Sequence, residues 1–359
     1  MVSDVSTMSN GSDNLLSNIV IRTIATAMVA YLIFFLLNNY LIYFQGWPGP
    51  INFIKHHEWF GFLPLRKPLS EDIINLGLIQ FLGLFFILLL SIIWATITKD
   101  RSIRDDAKLW SDFSAYIIRA AFWAVFFIGI VDAVISFLRV EDLLSLTVGE
   151  NMASQLGKSS FRGTYVLYPM FIVGGFIAYR SRNIDFIWLA LLVVVAEFII
   201  VITRFIFSYE QAFMGDLVRF WYAALFLFAS SYALVTEGHV RVDVLYASFS
   251  KKAKSITNVV GCLLLGIPLC WTILLTGMWN RGSSLNGPII SFETYQQGYG
   301  MYVKYIMVSF MIIFALSMLV QFVSYALDNI ANLRGEEGET YKNEDMVDSE
   351  TTPNIQTIG

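Results

Sequence analysis

The sequence predicts an all-α integral membrane protein with about eight transmembrane helices. Apolar residues make up 56% of its 359 residues, and the mean hydropathy is +0.62. Charged residues make up only 14%, compared with about 25% in soluble domains, which is too little polar surface for a water-facing body of this size. The apolar residues form stretches of about 20 residues, the length that a helix needs to cross a bilayer. None of them shows the ten-residue alternation of an outer-membrane barrel.

The eight candidate spans are separated by polar or glycine- and proline-rich loops. The first is too long for a cleaved signal peptide and lacks a small-residue cleavage site, so we expect an uncleaved helix. The fourth is short and contains Pro169 and Gly174-Gly175, which leaves a re-entrant segment as an alternative to a full crossing. The predicted spans cover roughly residues 23–44, 74–97, 116–138, 165–179, 187–207, 217–235, 256–280 and 301–327.

The distribution of Lys and Arg predicts the orientation in the membrane. With the N-terminus in the cytoplasm, the inward loops are 98–115, 180–186 and 236–255, and basic residues are more than twice as dense there as in the outward loops. Both termini are therefore expected in the cytoplasm. Residues 333–359 are acidic and polar, and we expect a disordered tail.

Several classes of protein are excluded by what the sequence lacks. A net charge of −4 without a basic stripe argues against nucleic-acid binding, and two cysteines cannot form a disulfide scaffold. None of the three histidines lies in a span, which argues against haem ligation by paired histidines. The run His56-His57-Glu58 is either a metal site or part of an ordinary hydrated loop. No nucleotide-binding or hydrolase motif occurs, so we expect no cofactor and no enzymatic activity.

Charges inside the predicted spans need an explanation, because they are costly in a bilayer. Glu197 lies in the middle of the fifth span, and Arg204 follows two turns later on the same face. Asp132 lies in the outer half of the third span. A relay for protons or substrate would need more ionisable groups across the bilayer, so structural packing is the favoured interpretation of these three residues.

One segment after the sixth span carries a motif. Residues 236–246 contain Glu237-Gly238-His239-Val240-Arg241-Val242-Asp243, followed by apolar residues at helical spacing and by three lysines. On physical grounds it is either a helix lying in the membrane interface or a plain basic loop.

This segment resembles the small membrane subunit of tripartite ATP-independent periplasmic (TRAP) transporters. That family has a Gly-His-hydrophobic-Arg-hydrophobic-Asp run after its second helix, and an Arg-aromatic pair at the end of its first helix. Here the pair is Arg204-Phe205, and the acidic residue that follows is Glu210 or Asp216. The resemblance covers about residues 185–330, which hold four spans. The usual small subunit has only four helices, so the chain resembles the longer variants with an N-terminal extension.

The resemblance implies three regions: an extension at 1–184 with about four spans, a four-helix domain at 185–332, and the tail at 333–359. It also implies a bacterial inner-membrane location, a large membrane subunit and a periplasmic substrate-binding protein as partners, and uptake of an organic acid driven by an ion gradient. The chain would then be a scaffold that carries no substrate itself. The candidate interface or structural residues are Glu197, Arg204, Glu210, Asp216, Arg219, Glu237, His239, Arg241 and Asp243.

Two further hypotheses stay open. In the first, the chain is a self-sufficient channel or transporter whose path is lined by Asp132, Glu197 and Arg204. In the second, it anchors a membrane enzyme, although the lack of histidine pairs in the spans counts against this. Arg204, Glu210, Asp216 and Arg219 lie in or beside the nine-residue loop 208–216, and they form either a charge network that orients the hairpin or a solvated turn.

Overall fold

The computed structural model describes residues 2–181, 187–209, 211–235, 246, 248–295 and 300–336. Within these ranges every regular element is a helix, and eight helices are long and apolar enough to cross a membrane. The prediction of an all-α integral membrane protein with eight spanning helices is confirmed. These helices, numbered first to eighth below, are Val2–Tyr43, Glu71–Ile97, Ile103–Val140, Ser159–Arg180, Ile187–Ile206, Ala212–Val235, Lys251–Met278 and Lys304–Arg334.

The helix ends follow local rules of sequence. The second spanning helix begins after Ser70 and has Glu71 and Asp72 in its first turn, where negative charge favours the positive end of the helix dipole. The seventh begins after Ser250, whose hydroxyl accepts a hydrogen bond from the Ala253 amide at 3.3 Å. This contact satisfies one of the four free amides of the first turn.

The segment between the third and fourth spanning helices is more regular than the predicted outward loop at 139–164. It contains the short helices Leu144–Val148 and Glu150–Leu156. Gly149 separates them with a φ of +82°, a conformation that glycine adopts without strain. Polar side chains lower the hydropathy of this segment without preventing helix formation, and neither short helix is long enough to cross a membrane.

The fourth spanning helix is longer than the predicted stretch at 165–179. Its 22 residues, Ser159–Arg180, correspond to about 33 Å, which is enough for a full crossing. A single π-helical turn, Gly163–Leu167, interrupts it near its start. The hydropathy pattern missed the first turn because this turn contains Arg162.

The chain divides into two compact units, and each unit draws residues from both sides of the predicted boundary at 184/185, which stays a prediction. The first unit comprises residues 1–109, 249–265 and 322–339. In it the first and second spanning helices share a polar contact: Gln80 donates to Asn38 at 2.9 Å and accepts from the Gly49 amide at 2.9 Å. Tyr31 donates to the Leu84 carbonyl at 2.8 Å. These contacts satisfy polar groups that would otherwise be costly in an apolar setting.

The second unit includes residues 110–248 and 266–321. Its hydrophobic core contains buried residues of the third, fourth, fifth, sixth and eighth spanning helices, among them Phe220, Phe228 and Phe310. The fourth helix approaches the third very closely at Gly174, where an added Cβ would lie 2.6 Å from the Ala124 amide nitrogen. Small residues allow such backbone approach between membrane helices. The candidate functional site lies in this unit.

Candidate functional site

A fully buried ion pair joins the third and fourth spanning helices. Arg162 Nη1 donates to Asp132 Oδ1 at 2.9 Å, and neither side chain is exposed. The same nitrogen donates to the Ser136 hydroxyl at 3.2 Å, and Arg162 Nε donates to the Leu156 carbonyl at 2.9 Å. Because a buried charge is tolerated only when it is paired and hydrogen-bonded, each of the two charged residues depends on the other.

The ring of Tyr302 packs against this ion pair. Its backbone amide donates to Asp132 Oδ2 at 2.7 Å, and its hydroxyl donates to the Gly157 carbonyl at 3.0 Å. The guanidinium carbons of Arg162 and Arg139 lie 4.2 and 4.7 Å from the centre of the ring, within cation–π range. Arg139 also donates to the Tyr302 hydroxyl. Tyr302 is thereby held through its backbone, its ring and its hydroxyl.

A second buried carboxylate holds the neighbouring residue. Asp216, from the sixth spanning helix, accepts a hydrogen bond from the Met301 amide at 3.1 Å. Its other oxygen lies 3.4 Å from Arg219 Nη1, and Arg219 is 64% exposed. Nearby, burial and the negative charge of Asp216 raise the pKa of Tyr295, which lies in the loop before Met301.

Together these contacts form an anchor, which we define as Asp132, Arg162, Asp216, Met301 and Tyr302. Two carboxylates from two different helices accept adjacent backbone amides immediately before the eighth spanning helix, which begins at Lys304. Both oxygens of Asp132 are hydrogen-bonded within the protein. This geometry suits a structural clamp rather than proton transfer, since a relay needs a carboxylate that is open to a proton donor.

Gly163 follows Arg162 and makes room for the aromatic residues beside the anchor. An added Cβ would lie 2.5 Å from the Tyr305 hydroxyl and 2.7 Å from the Phe292 ring. Tyr168 and Phe292 both pack on Tyr305, with ring centres 6.0 and 5.3 Å away. The π-helical turn that begins at Gly163 therefore lies against a packed aromatic cluster.

The hairpin between the fifth and sixth spanning helices holds the predicted charge cluster. Asp216 and Arg219 meet one turn apart on the sixth helix, whereas Glu210 lies outside the described residues. Arg204 is exposed near the end of the fifth helix. Sequence reasoning missed Glu141, which accepts hydrogen bonds from Tyr209 and Gln211. The bond to Glu141 raises the pKa of Tyr209 to about 12.

The other residues predicted from the sequence lie outside the anchor. Glu197 is exposed on the surface of the fifth spanning helix, and no hydrogen bond or ion pair connects it to any residue that the structure describes. It therefore does not share the buried setting of Asp132. The motif residues Glu237, His239, Arg241 and Asp243 lie outside the described residues, as does the tail from residue 337 onward. At the end of the short helix Gly49–His56, His56 Nδ1 accepts a hydrogen bond from the Leu69 amide at 3.4 Å.

Sequence reasoning also missed two ion pairs in the first unit. Arg22 donates to Asp106 at 2.7 Å and to the Thr98 carbonyl at 2.6 Å, and both members of the pair are buried. Arg104 donates to Asp328 at 2.7 Å. The sequence did contain a signal for these two pairs and for the pair of Arg162 with Asp132. In each pair the opposite charges lie in or beside apolar spans, on the same predicted side of the membrane.

The C-terminal part of the chain matches a known protein family. Residues 190–329 match the family model described as tripartite ATP-independent periplasmic transporters, DctQ component. This region belongs to the DctQ family. Searches of curated proteins and of solved structures find no match to the chain. The resemblance seen in the sequence is thereby confirmed for residues 190–329, and the family that this region matches is a component of transporters.

The anchor joins residues inside and outside the DctQ region. Asp216, Met301 and Tyr302 lie within residues 190–329, whereas Asp132 and Arg162 precede them. The preceding part of the chain therefore supplies a carboxylate and a guanidinium that hold the loop before the last helix of the DctQ region.

Proposed function

We propose that this chain is the small membrane subunit of a TRAP-type transporter and that it braces a larger membrane subunit. That subunit would carry an organic acid into the cell, driven by an ion gradient, after a periplasmic binding protein delivers it. The observation that carries the proposal is the DctQ match over the last four spanning helices. We place the chain in the bacterial inner membrane with both termini in the cytoplasm, as its loop charges favour.

The geometry of the charged residues supports a scaffold. A chain that itself carried ions would need polar groups that converge on a site near the bilayer centre, often at broken helices. Here Asp132 is closed within an ion pair, and Glu197 lies on an outer helix surface. These positions favour the scaffold over a self-sufficient channel lined by Asp132, Glu197 and Arg204.

The N-terminal extension has a structural role in this proposal. Because Asp132 and Arg162 hold the loop before the eighth spanning helix, we infer that the extension stiffens the DctQ region. A stiff scaffold is useful next to a subunit that moves during transport, because it gives the moving part a fixed reference position in the membrane.

Reconstitution tests the proposal. The chain alone, the large subunit alone and the two co-expressed are placed in proteoliposomes with a sodium gradient and binding protein loaded with organic acid. We expect uptake only from the co-expressed pair, and co-purification of the two membrane subunits in mild detergent. Saturable uptake by this chain alone would contradict the scaffold function and favour the self-sufficient transporter.

A further inference from the structure

The fifth spanning helix is the least covered of the eight candidate spans. Only 11% of the most apolar stretch of this helix is buried, compared with 17% to 44% of the corresponding stretch in the other seven spans. Its buried residues, Leu189 and Ala196, face the core of the second unit. The other side of the helix is apolar and exposed, and it includes Val194, Phe198 and Val201.

Glu197 lies in the centre of this exposed surface. It is about 15 Å from the start of the helix Ile187–Ile206 and about 14 Å from its end. The hydrocarbon core of a bilayer is about 30 Å thick, so the carboxyl group lies near the midplane. A charged group in contact with lipid at that depth is strongly unfavourable, and such residues normally face protein or a water-filled cavity.

No residue in the described part of the chain compensates this carboxylate by a hydrogen bond or an ion pair. A second copy of the chain is a poor partner, because two copies that met at this face would bring their Glu197 residues close together at the same depth. Like charges so placed repel each other. A helix that carries a cation at the midplane would compensate the charge and cover the surrounding apolar side chains.

We propose that the exposed face of the fifth spanning helix around Glu197 docks a transmembrane helix of the large membrane subunit, and that this helix presents a Lys or Arg to Glu197 near the bilayer midplane. The inference rests on the proposed function, since it assumes that a large subunit binds this chain. It adds the surface, the depth and the chemistry of the contact.

The test uses the full chain, tagged and co-expressed with the large subunit, and measures recovery of the large subunit in mild detergent. Three single variants are compared with wild type: Glu197→Leu, Glu197→Gln and Phe86→Leu. Phe86 is the control, because it is an exposed apolar residue in the middle of the second spanning helix. Each variant is first checked by size-exclusion chromatography. We expect all of them to fold, since no residue in the described ranges forms a hydrogen bond or an ion pair with Glu197.

We expect Glu197→Leu to lower recovery about tenfold, because it leaves the partner's cation unpaired within the interface. Glu197→Gln keeps a hydrogen-bonding group, so its loss should be about threefold. Phe86→Leu should stay within about twofold of wild type. Equal recovery for wild type and Glu197→Leu, or an equal loss for Phe86→Leu, would overturn the docking face and leave the proposed function intact.

Two other outcomes separate the remaining explanations. If the wild-type chain fails to recover the large subunit at all, the proposed function itself fails, and the docking face fails with it. If Glu197→Cys forms a cross-linked homodimer in high yield when membranes are oxidised, the face binds a second copy and the proposal is wrong. The native cysteines, Cys262 and Cys270, are both buried and give little background in that experiment.

Discussion

Asp132 and Asp216 lie on different helices, yet they accept hydrogen bonds from two adjacent backbone amides. Asp132 binds the amide of Tyr302 at 2.7 Å, and Asp216 binds that of Met301 at 3.1 Å. Both side chains are buried. The chain entering the eighth spanning helix is thus fixed by two carboxylates at once.

Removing the Asp132 carboxylate should destabilise the protein strongly. Asp132→Ala leaves Arg162 buried without its counter-charge, and we expect a loss of about 3–5 kcal/mol in the free energy of unfolding. The double variant Asp132→Leu with Arg162→Leu removes both charges and should recover most of that loss. Unfolding in mild detergent by increasing SDS measures both. A single variant as stable as wild type would contradict the ion pair.

Asp216 should stabilise the protein through its hydrogen bond with the Met301 amide rather than through its ion pair with Arg219. Asp216→Ala leaves the buried Met301 amide without an acceptor, which costs about 1–3 kcal/mol. Asp216→Asn keeps an acceptor and should cost less. Arg219→Gln is the control and should change stability by about 1 kcal/mol or less, because that ion pair is solvent-screened. The same unfolding assay compares the three, and a larger effect of Arg219→Gln than of Asp216→Ala would reverse this assignment.

Two neighbouring glycines provide a matched test of the packing between the third and fourth spanning helices. A Cβ at Gly174 would lie 2.6 Å from the backbone nitrogen of Ala124, whereas the nearest atom to a Cβ at Gly175 is the Tyr116 hydroxyl at 3.4 Å. Gly174→Ala should therefore separate the helices and lower the melting temperature by several degrees. Gly175→Ala should stay close to wild type. Equal melting temperatures for both variants would contradict the close approach.

The hairpin cluster is tested by Arg204→Gln, which keeps bulk and removes charge. If the cluster orients the hairpin against the large subunit, this change should weaken co-purification and transport without lowering expression. Glu210→Gln should act likewise, and the double variant should lose less than the sum of the two. Full transport and full complex recovery by Arg204→Gln would mean that the cluster is only a hydrated turn.

The orientation is tested with single cysteines and an impermeant thiol reagent on intact cells. Ser284→Cys and Ser159→Cys should react from outside, and Ser250→Cys should react only after the membrane is opened. Ser284 and Ser250 are both exposed, so a difference between them reports the side of the membrane rather than burial. Labelling of Ser250→Cys in intact cells would show that the proposed orientation is wrong.

The spans and the family could be predicted from the sequence, whereas most of the site could not. Sequence reasoning singled out Asp132 and Asp216, because charges in or beside apolar spans are conspicuous. It missed Arg162, since one Arg at the edge of an apolar stretch looks like the end of a loop. It also grouped Asp216 with residues of its own hairpin, although its backbone partner, Met301, is 85 positions away.

The sequence by itself determined that the chain is helical, how many helices can cross a membrane and in what order, and which part belongs to the DctQ family. These properties depend on composition and local spacing, because a stretch of about 20 apolar residues favours a spanning helix whatever its neighbours are. Only the tertiary structure decided that Asp132 meets Arg162 and Tyr302 while Glu197 stays on an outer surface. Such contacts depend on the rotation and approach of helices that are distant in the sequence, and hydropathy carries no information about either.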